Sequence, residues 1–247
     1  MTSGRTSPAL CGCEDEIGSS ASEHVVKLRG SVQQRGLFAE LLAAKLAAHF
    51  GLSSPAPALI VLESALVELI AGIHPAKADL VRGSEGLNFG TQVLIGFATW
   101  PVDKQIPDAL RPAAVDIFAF DALLQNPDRR ATNPNLLTNG ETIMVIDHEV
   151  AFSFLLDVLP TSTPWLLNRQ RYLEDHVFYR PLKSKALDLT KFITRLRALS
   201  DAVLDEVLAD VPAEWKNEKD ELKIRQHLAA IRDHTDEFAE QVRRFLA

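Results

Sequence analysis

Three polar residues in one stretch of this 247-residue chain have the types and spacing for proton transfer beside a metal ion. Asp128 precedes Asn133 by five positions in the polar loop Asn126-Pro127-Asp128-Arg129-Arg130-Ala131-Thr132-Asn133, and Asp147 follows beyond a hairpin. A carboxylate at Asp128 can take the proton of a hydroxyl. The Asn133 amide and the Asp147 carboxylate are hard oxygen donors of the kind that suits Mg²⁺, an ion that also binds substrate phosphates. Asn139-Gly140 between two apolar runs predicts a two-residue turn, because a type I′ turn needs positive φ at both positions. That turn faces Thr138 with Glu141 and Leu136 with Ile143, and it sets Asn133 opposite Ile146, beside Asp147. Opposed residues lie about 5 Å apart, so Asn133 and Asp147 would reach one shared ion.

Two upstream residues extend the pattern. The run His24-Val25-Val26-Lys27-Leu28 predicts a strand ended by Gly30, and it carries Lys27. Leu37, Phe38, Leu41, Leu42 and Phe50 recur at helical spacing and predict a helix from Leu37 to Phe50 capped by Gly51. Glu40 falls on another face of that helix, in line with Ala43, Ala44 and Ala47, a stripe that lets a neighbouring backbone come close. A strand lysine, a helix glutamate, an Asp–Asn pair five apart and a further aspartate form, in that order, the parts of a kinase.

Other elements frame these. Ala58 to Leu69 is apolar and fits strand or helix alike. Gly83 to Gly90 reads as a glycine-bearing loop, and Gln92 to Trp100 as a strand. Pro101 to Pro112, with prolines at 101, 107 and 112, reads as a connector between lobes. Ala113 to Leu124 predicts a buried helix, and the chain from Leu187 onward reads as helices, the last from about Lys219 to Leu246. The expected fold class is therefore α+β, with a small strand-containing N-lobe over 1–101 and a mostly helical C-lobe over 102–247.

The loop Asn126 to Asn133, together with Ile146-Asp147-His148-Glu149, resembles the HipA-like kinases, bacterial relatives of the set that includes the phosphatidylinositol 3/4-kinases. Val25-Val26-Lys27, Glu40 in its helix and Gly86-Leu87-Asn88-Phe89-Gly90 also fit that family. Arg130 stands where related sequences often carry histidine. The resemblance implies a two-lobed protein-kinase-like fold that moves the γ-phosphate of ATP to a hydroxyl, with ATP and Mg²⁺ as cofactors and a protein as the expected substrate. On that reading Asp128 is the catalytic base, Asn133 and Asp147 are Mg²⁺ ligands, Lys27 binds phosphate and Glu40 holds Lys27. Gly4, Arg5 and Thr6 are then the remnant of the phosphate-covering loop. An antitoxin-like partner protein accompanies some members. The sparse N-terminal loop favours an alternative, a degenerate kinase fold that binds nucleotide or protein without turnover.

Composition narrows the other classes. With 33 acidic against 26 basic side chains, the chain has a formal net charge of −7, which disfavours bulk attraction to nucleic acid or anionic membrane. Met1 to Pro8 has no apolar signal core, and Glu63 and Glu68 interrupt the most apolar stretch, so the expected location is cytoplasmic. Cys11 and Cys13 read as free thiols, because a structural zinc site usually has four ligands. Arg129 and Arg130 suit either a phosphate or an internal carboxylate. His148 reads as a structural hydrogen-bonding histidine.

Overall fold

The computed structural model of the chain describes residues 8–15, 18, 21–102, 104–158 and 162–247. Gly4, Arg5 and Thr6, the expected phosphate-covering loop, lie outside the described residues.

The first part of the chain builds a four-stranded antiparallel sheet from β1 (Ala9–Glu14), β2 (Ala21–Lys27), β3 (Pro57–Leu62) and β4 (Gly86–Gln92), in the order β1-β2-β4-β3. Strand alternation separates its two faces. Val26, Ile60 and Leu62 point to one side, where α2 (Ser64–Ile73) and α3 (Ala78–Arg82) add Val67 and Val81 to form a small separate core. Lys27 and its cross-strand neighbour Phe89 point to the other side, toward α1 (Gln34–His49). The ambiguous apolar run at 58–69 thus divides between β3 and α2.

Two expectations here are corrected. Residues 86–92 form the inner strand β4 and not a loop. Gly90 is there for packing, because a Cβ on it would meet the Ile60 side chain at 2.6 Å. Gln92 to Trp100 is mostly not a strand either. Gln92 ends β4, the chain turns through Gly96 at φ +82°, and within 93–100 only β5 (Ala98–Thr99) forms a strand, joining a second sheet. Val93 and Leu94 spend their apolar side chains on the wall of a cleft instead.

Helix α1 is buried on nearly every side and joins the large core. It ends in a Schellman motif: Gly51, at φ +68°, donates to Ala48 O, and Leu52 donates to Ala47 O. The second sheet, order β5-β6-β7, adds β6 (Leu136–Thr138) and β7 (Ile143–Val145) and packs against α4 (Arg111–Leu124), the predicted buried helix. The hairpin register differs from expectation by two residues: Thr138 pairs with Ile143 and Leu136 with Val145. The loop is therefore 139–142. Asn139 is not left-handed; its Oδ1 accepts from the N–H groups of Glu141 and Thr142, so the side chain closes a longer turn.

The remainder is helical: α5 (Tyr179–Leu182), α6 (Thr190–Arg197), α7 (Asp201–Ala209), α8 (Glu218–Asp233) and α9 (Thr235–Phe245). The expected single last helix is two. His234 leaves helical geometry between them, and the Thr235 hydroxyl turns back onto Arg232 O. The bend lets Phe238 and Val242 enter the same core as Leu228 and Ile231. No helix among the described residues is long and apolar enough to cross a membrane.

Candidate active site

The two sheets and α1 enclose a cleft of about 380 Å³, whose walls include Lys27, Glu40, Asn133, Asp147 and His148. Lys27 reaches it because β2 turns that face inward. Glu40 reaches it because α1 runs beneath the sheet. Lys27 Nζ bonds the Glu40 carboxylate and also lies 2.6 Å from Asp147 Oδ1 and 3.2 Å from Glu149 Oε2. One ammonium thus gathers three carboxylates whose oxygens lie within 4.8 Å of one another.

The electrostatics follow from burial and this crowding. Burial alone would lower the Lys27 pKa, but Glu40, Asp147 and Glu149 together raise it well above the ordinary lysine value. Burial pushes the Glu40 carboxyl up, and Lys27 and the His148 backbone N–H pull it back only part of the way. Burial pushes the Asp147 carboxyl up, but the charge and hydrogen bond of Lys27, with His148 and Glu40, together outweigh it and hold the carboxyl below the usual range. Asp147 itself sits at φ +59°, a left-handed conformation uncommon for a residue with a Cβ, and Asn135 at φ +48° is its counterpart on the opposite segment. Backbone strain of this kind gathers at functional sites.

Asp128 lies on the adjoining loop. Its Oδ2 accepts from the side-chain amides of Asn133, at 2.9 Å, and Asn135, at 3.1 Å. Its Oδ1 accepts from Arg130, at 2.8 Å. Each carboxylate oxygen has about two acceptor positions, so Oδ2 is filled and Oδ1 keeps one. Because the Asn133 nitrogen is turned to Asp128, its oxygen is the atom left, and it accepts no hydrogen bond among the described residues.

A buried network fixes this loop. Arg129 is one of the most buried large side chains, paired with Asp121 of α4. It donates also to the carbonyls of Asn135 and Ile146 and to His148 Nε2, so one guanidinium ties the loop to the segments on both sides of the hairpin. Asn126 and His176 complete the ring around Asp121. His176 Nδ1 accepts from Phe178 N, which fixes Nε2–H as the donor to Asp121. Burial first, then Arg129, pushes His148 down to about 3, so it is the neutral acceptor that Arg129 requires. Arg129 therefore answers an internal carboxylate, while Arg130 is exposed beside Asp128.

The structure brings Lys27, Glu40 and Asp147 into direct contact, joins Asp128 to Asn133, and places both groups at one cleft. The shifted register removes the cross-strand pairing of Asn133 with Ile146; Asn135 instead accepts from Ile146 N through its carbonyl. Asp121, Asn135, Glu149 and His176 escaped the sequence reading. Glu149 had a signal, since it lies two positions beyond Asp147 and so can return to the same side. Asp121 had none, because a carboxylate within an apolar helix does not announce its partner.

A donor set of carboxylates around a single ammonium fits a divalent cation: three acids against one base leave local negative charge, and every donor is a hard oxygen.

Among solved structures, the chain is similar to a Helicobacter pylori proinflammatory kinase, CtkA, with a TM-score of 0.52 and 10% identity over 97% of this chain and 95% of that one. At that identity the likeness speaks to the fold, which is kinase-like. The comparison with curated proteins gives no match. The family model of the HipA-like kinases matches residues 1–243, nearly the whole sequence, and the chain belongs to that family.

Proposed function

We propose that this protein is an ATP- and Mg²⁺-dependent phosphotransferase that moves the γ-phosphate to a hydroxyl on a protein, with the smaller lobe over 1–101 and the larger over 102–247. The observation that carries this reading is the meeting of Lys27, Glu40 and Asp147 at one cleft with Asn133, whose amide is bonded to Asp128 on the adjoining loop. Kinase catalysis consists mostly of positioning and charge neutralisation, and these residues supply both. Lys27, held by Glu40, binds the nucleotide phosphates. Asp147 and the Asn133 oxygen hold Mg²⁺, which, when bound, neutralises charge on the phosphate oxygens. Asp128 Oδ1 takes the acceptor hydroxyl proton as the new O–P bond forms, and the bond between γ-phosphorus and the β–γ bridging oxygen breaks to release ADP. Asn133 and Asn135 fill the other Asp128 oxygen, so the proton has one destination.

The test is transfer of labelled γ-phosphate to protein substrates in a lysate by wild type and by Asp128→Ala. Incorporation by wild type alone supports the reading; equal incorporation by both contradicts the role of Asp128.

A further inference from the structure

The segment that buttresses the Asp128 loop is basic, against the charge of the chain as a whole. Ala131 N donates to Asp175 O and Val177 N to Arg129 O, so residues 171–177 run directly along that loop. Around them, residues 169–185 carry Arg169, Arg171, Arg180, Lys183 and Lys185 against Glu174 and Asp175, a local excess of three positive charges in a chain of net −7. All five cations are exposed.

Their lack of partners is the second observation. Several surface arginines elsewhere are paired: Arg35 with Asp220, Arg82 with Glu68, Arg197 with Asp236, Arg225 with Asp205. Among the described residues none of these five makes an ion pair, although Glu174 and Asp175 are exposed beside them; Lys183 bonds only the Tyr179 hydroxyl and lies over its ring. Like charges held together repel, and their field concentrates ligands of opposite sign. Arg171 begins the single helical turn that ends at Asp175. At about 2 Å rise per residue, that places it within roughly 8 Å of the residue bonded to the Asp128 loop.

We propose that this basic strip docks the acceptor, and that the acceptor is a polypeptide whose target hydroxyl is flanked by aspartate or glutamate. This rests on the phosphotransfer reading for the word acceptor, but the docking surface is tested separately. The anisotropy of a labelled serine peptide flanked by acidic residues is measured with full-length protein, Mg²⁺ and a non-hydrolysable ATP analogue. Neutral and basic peptides of the same length and a single-stranded oligonucleotide serve as competitors.

The acidic peptide is expected to bind at least tenfold more tightly than the neutral one. The double substitution Arg171→Glu with Arg180→Glu, both on the surface, is expected to remove at least tenfold of that affinity and leave ATP binding unchanged. Equal binding of the three peptides, an indifferent double variant, or tighter binding of the oligonucleotide each overturns the proposal. An acidic peptide that binds in this way without being phosphorylated upholds the docking surface and counts against phosphotransfer. Phosphorylation indifferent to flanking charge does the reverse.

Discussion

The Lys27 ammonium on β2 sits 2.6 Å from the Asp147 carboxylate, a residue 120 positions later in the chain, and Glu40 of α1 holds the same ammonium from beneath. The contact joins the first sheet to the segment after the hairpin, so the group that would bind phosphate and the group that would bind metal are mutually positioned. It also makes Lys27 the counter-ion of three acids.

Replacing Lys27 by methionine leaves Glu40 buried without its cation, and breaking a buried pair typically costs about 3–5 kcal/mol. Urea denaturation at pH 8 should show a loss of that order. Burial already raises the Glu40 carboxyl, and without Lys27 it rises further, so the penalty should shrink at pH 5 as Glu40 takes a proton. A penalty independent of pH would show that Glu40 is not the group left stranded.

Asp121→Ala should destabilise the protein by about 3–5 kcal/mol for the same reason, since Arg129 is fully enclosed and Asp121 is its one carboxylate among the described residues. The damage should reach the active site, because Arg129 also holds the Asn135 and Ile146 carbonyls. Hydrogen exchange of the amides over 126–135 and 145–149 would accelerate in the variant. Unchanged protection there would remove Arg129 from the role of fixing the loop.

The buried histidines should weaken the fold as pH falls below 6.5, while Asp116, raised to about 6 by burial, and Glu40, raised likewise, offset part of the loss. His148 is held down at about 3 and His227 at about 4, each by burial, against an ordinary value of 6.5. The unfolded chain therefore binds more protons than the folded one as pH falls below 6.5, and stability present above that pH is lost progressively toward pH 3–4. Each histidine contributes about 1–2 kcal/mol of loss between pH 7 and pH 5. Unfolding free energies measured across that range should fall, and His227→Gln should flatten the slope. Equal slopes in wild type and His227→Gln would contradict a neutral buried His227.

The legible parts of the sequence were those where local chemistry names its own place. The β-branched run placed Lys27 on a strand, and the three-to-four spacing placed Glu40 on α1 and exposed the buried helix α4. What the sequence concealed depended on long-range packing. The Asn139 side chain closes a four-residue turn, which no count from Asn139-Gly140 reveals, and the register moved by two with it. Gly86 and Gly90 looked like loop residues because what they meet lies on another strand, Leu62 opposite Gly86 and the Ile60 side chain against Gly90. Arg129 meets Asp121 across 8 positions and His176 meets Asp121 across 55, and no spacing rule connects them.

Asp128→Asn keeps the loop geometry and removes the proton acceptor, so it should lower phosphotransfer by about 10²–10⁴, the usual contribution of a general base. Nucleotide affinity should stay within about twofold, since Asp128 touches Asn133, Asn135 and Arg130 and is not among the residues lining the cleft. Single-turnover phosphotransfer with parallel ATP titration separates the two effects. A parallel fall in affinity would make Asp128 a binding residue.

In the proposed reaction Lys27, Asn133 and Asp147 together hold Mg²⁺ and ATP. The most direct test of this is isothermal titration of ATP into the wild-type protein with Mg²⁺ and with EDTA, repeated on Asp147→Ala. Binding should strengthen with Mg²⁺ in the wild type and lose that dependence in the variant. Binding that ignores Mg²⁺, or an Asp147→Ala profile identical to wild type, would contradict that arrangement.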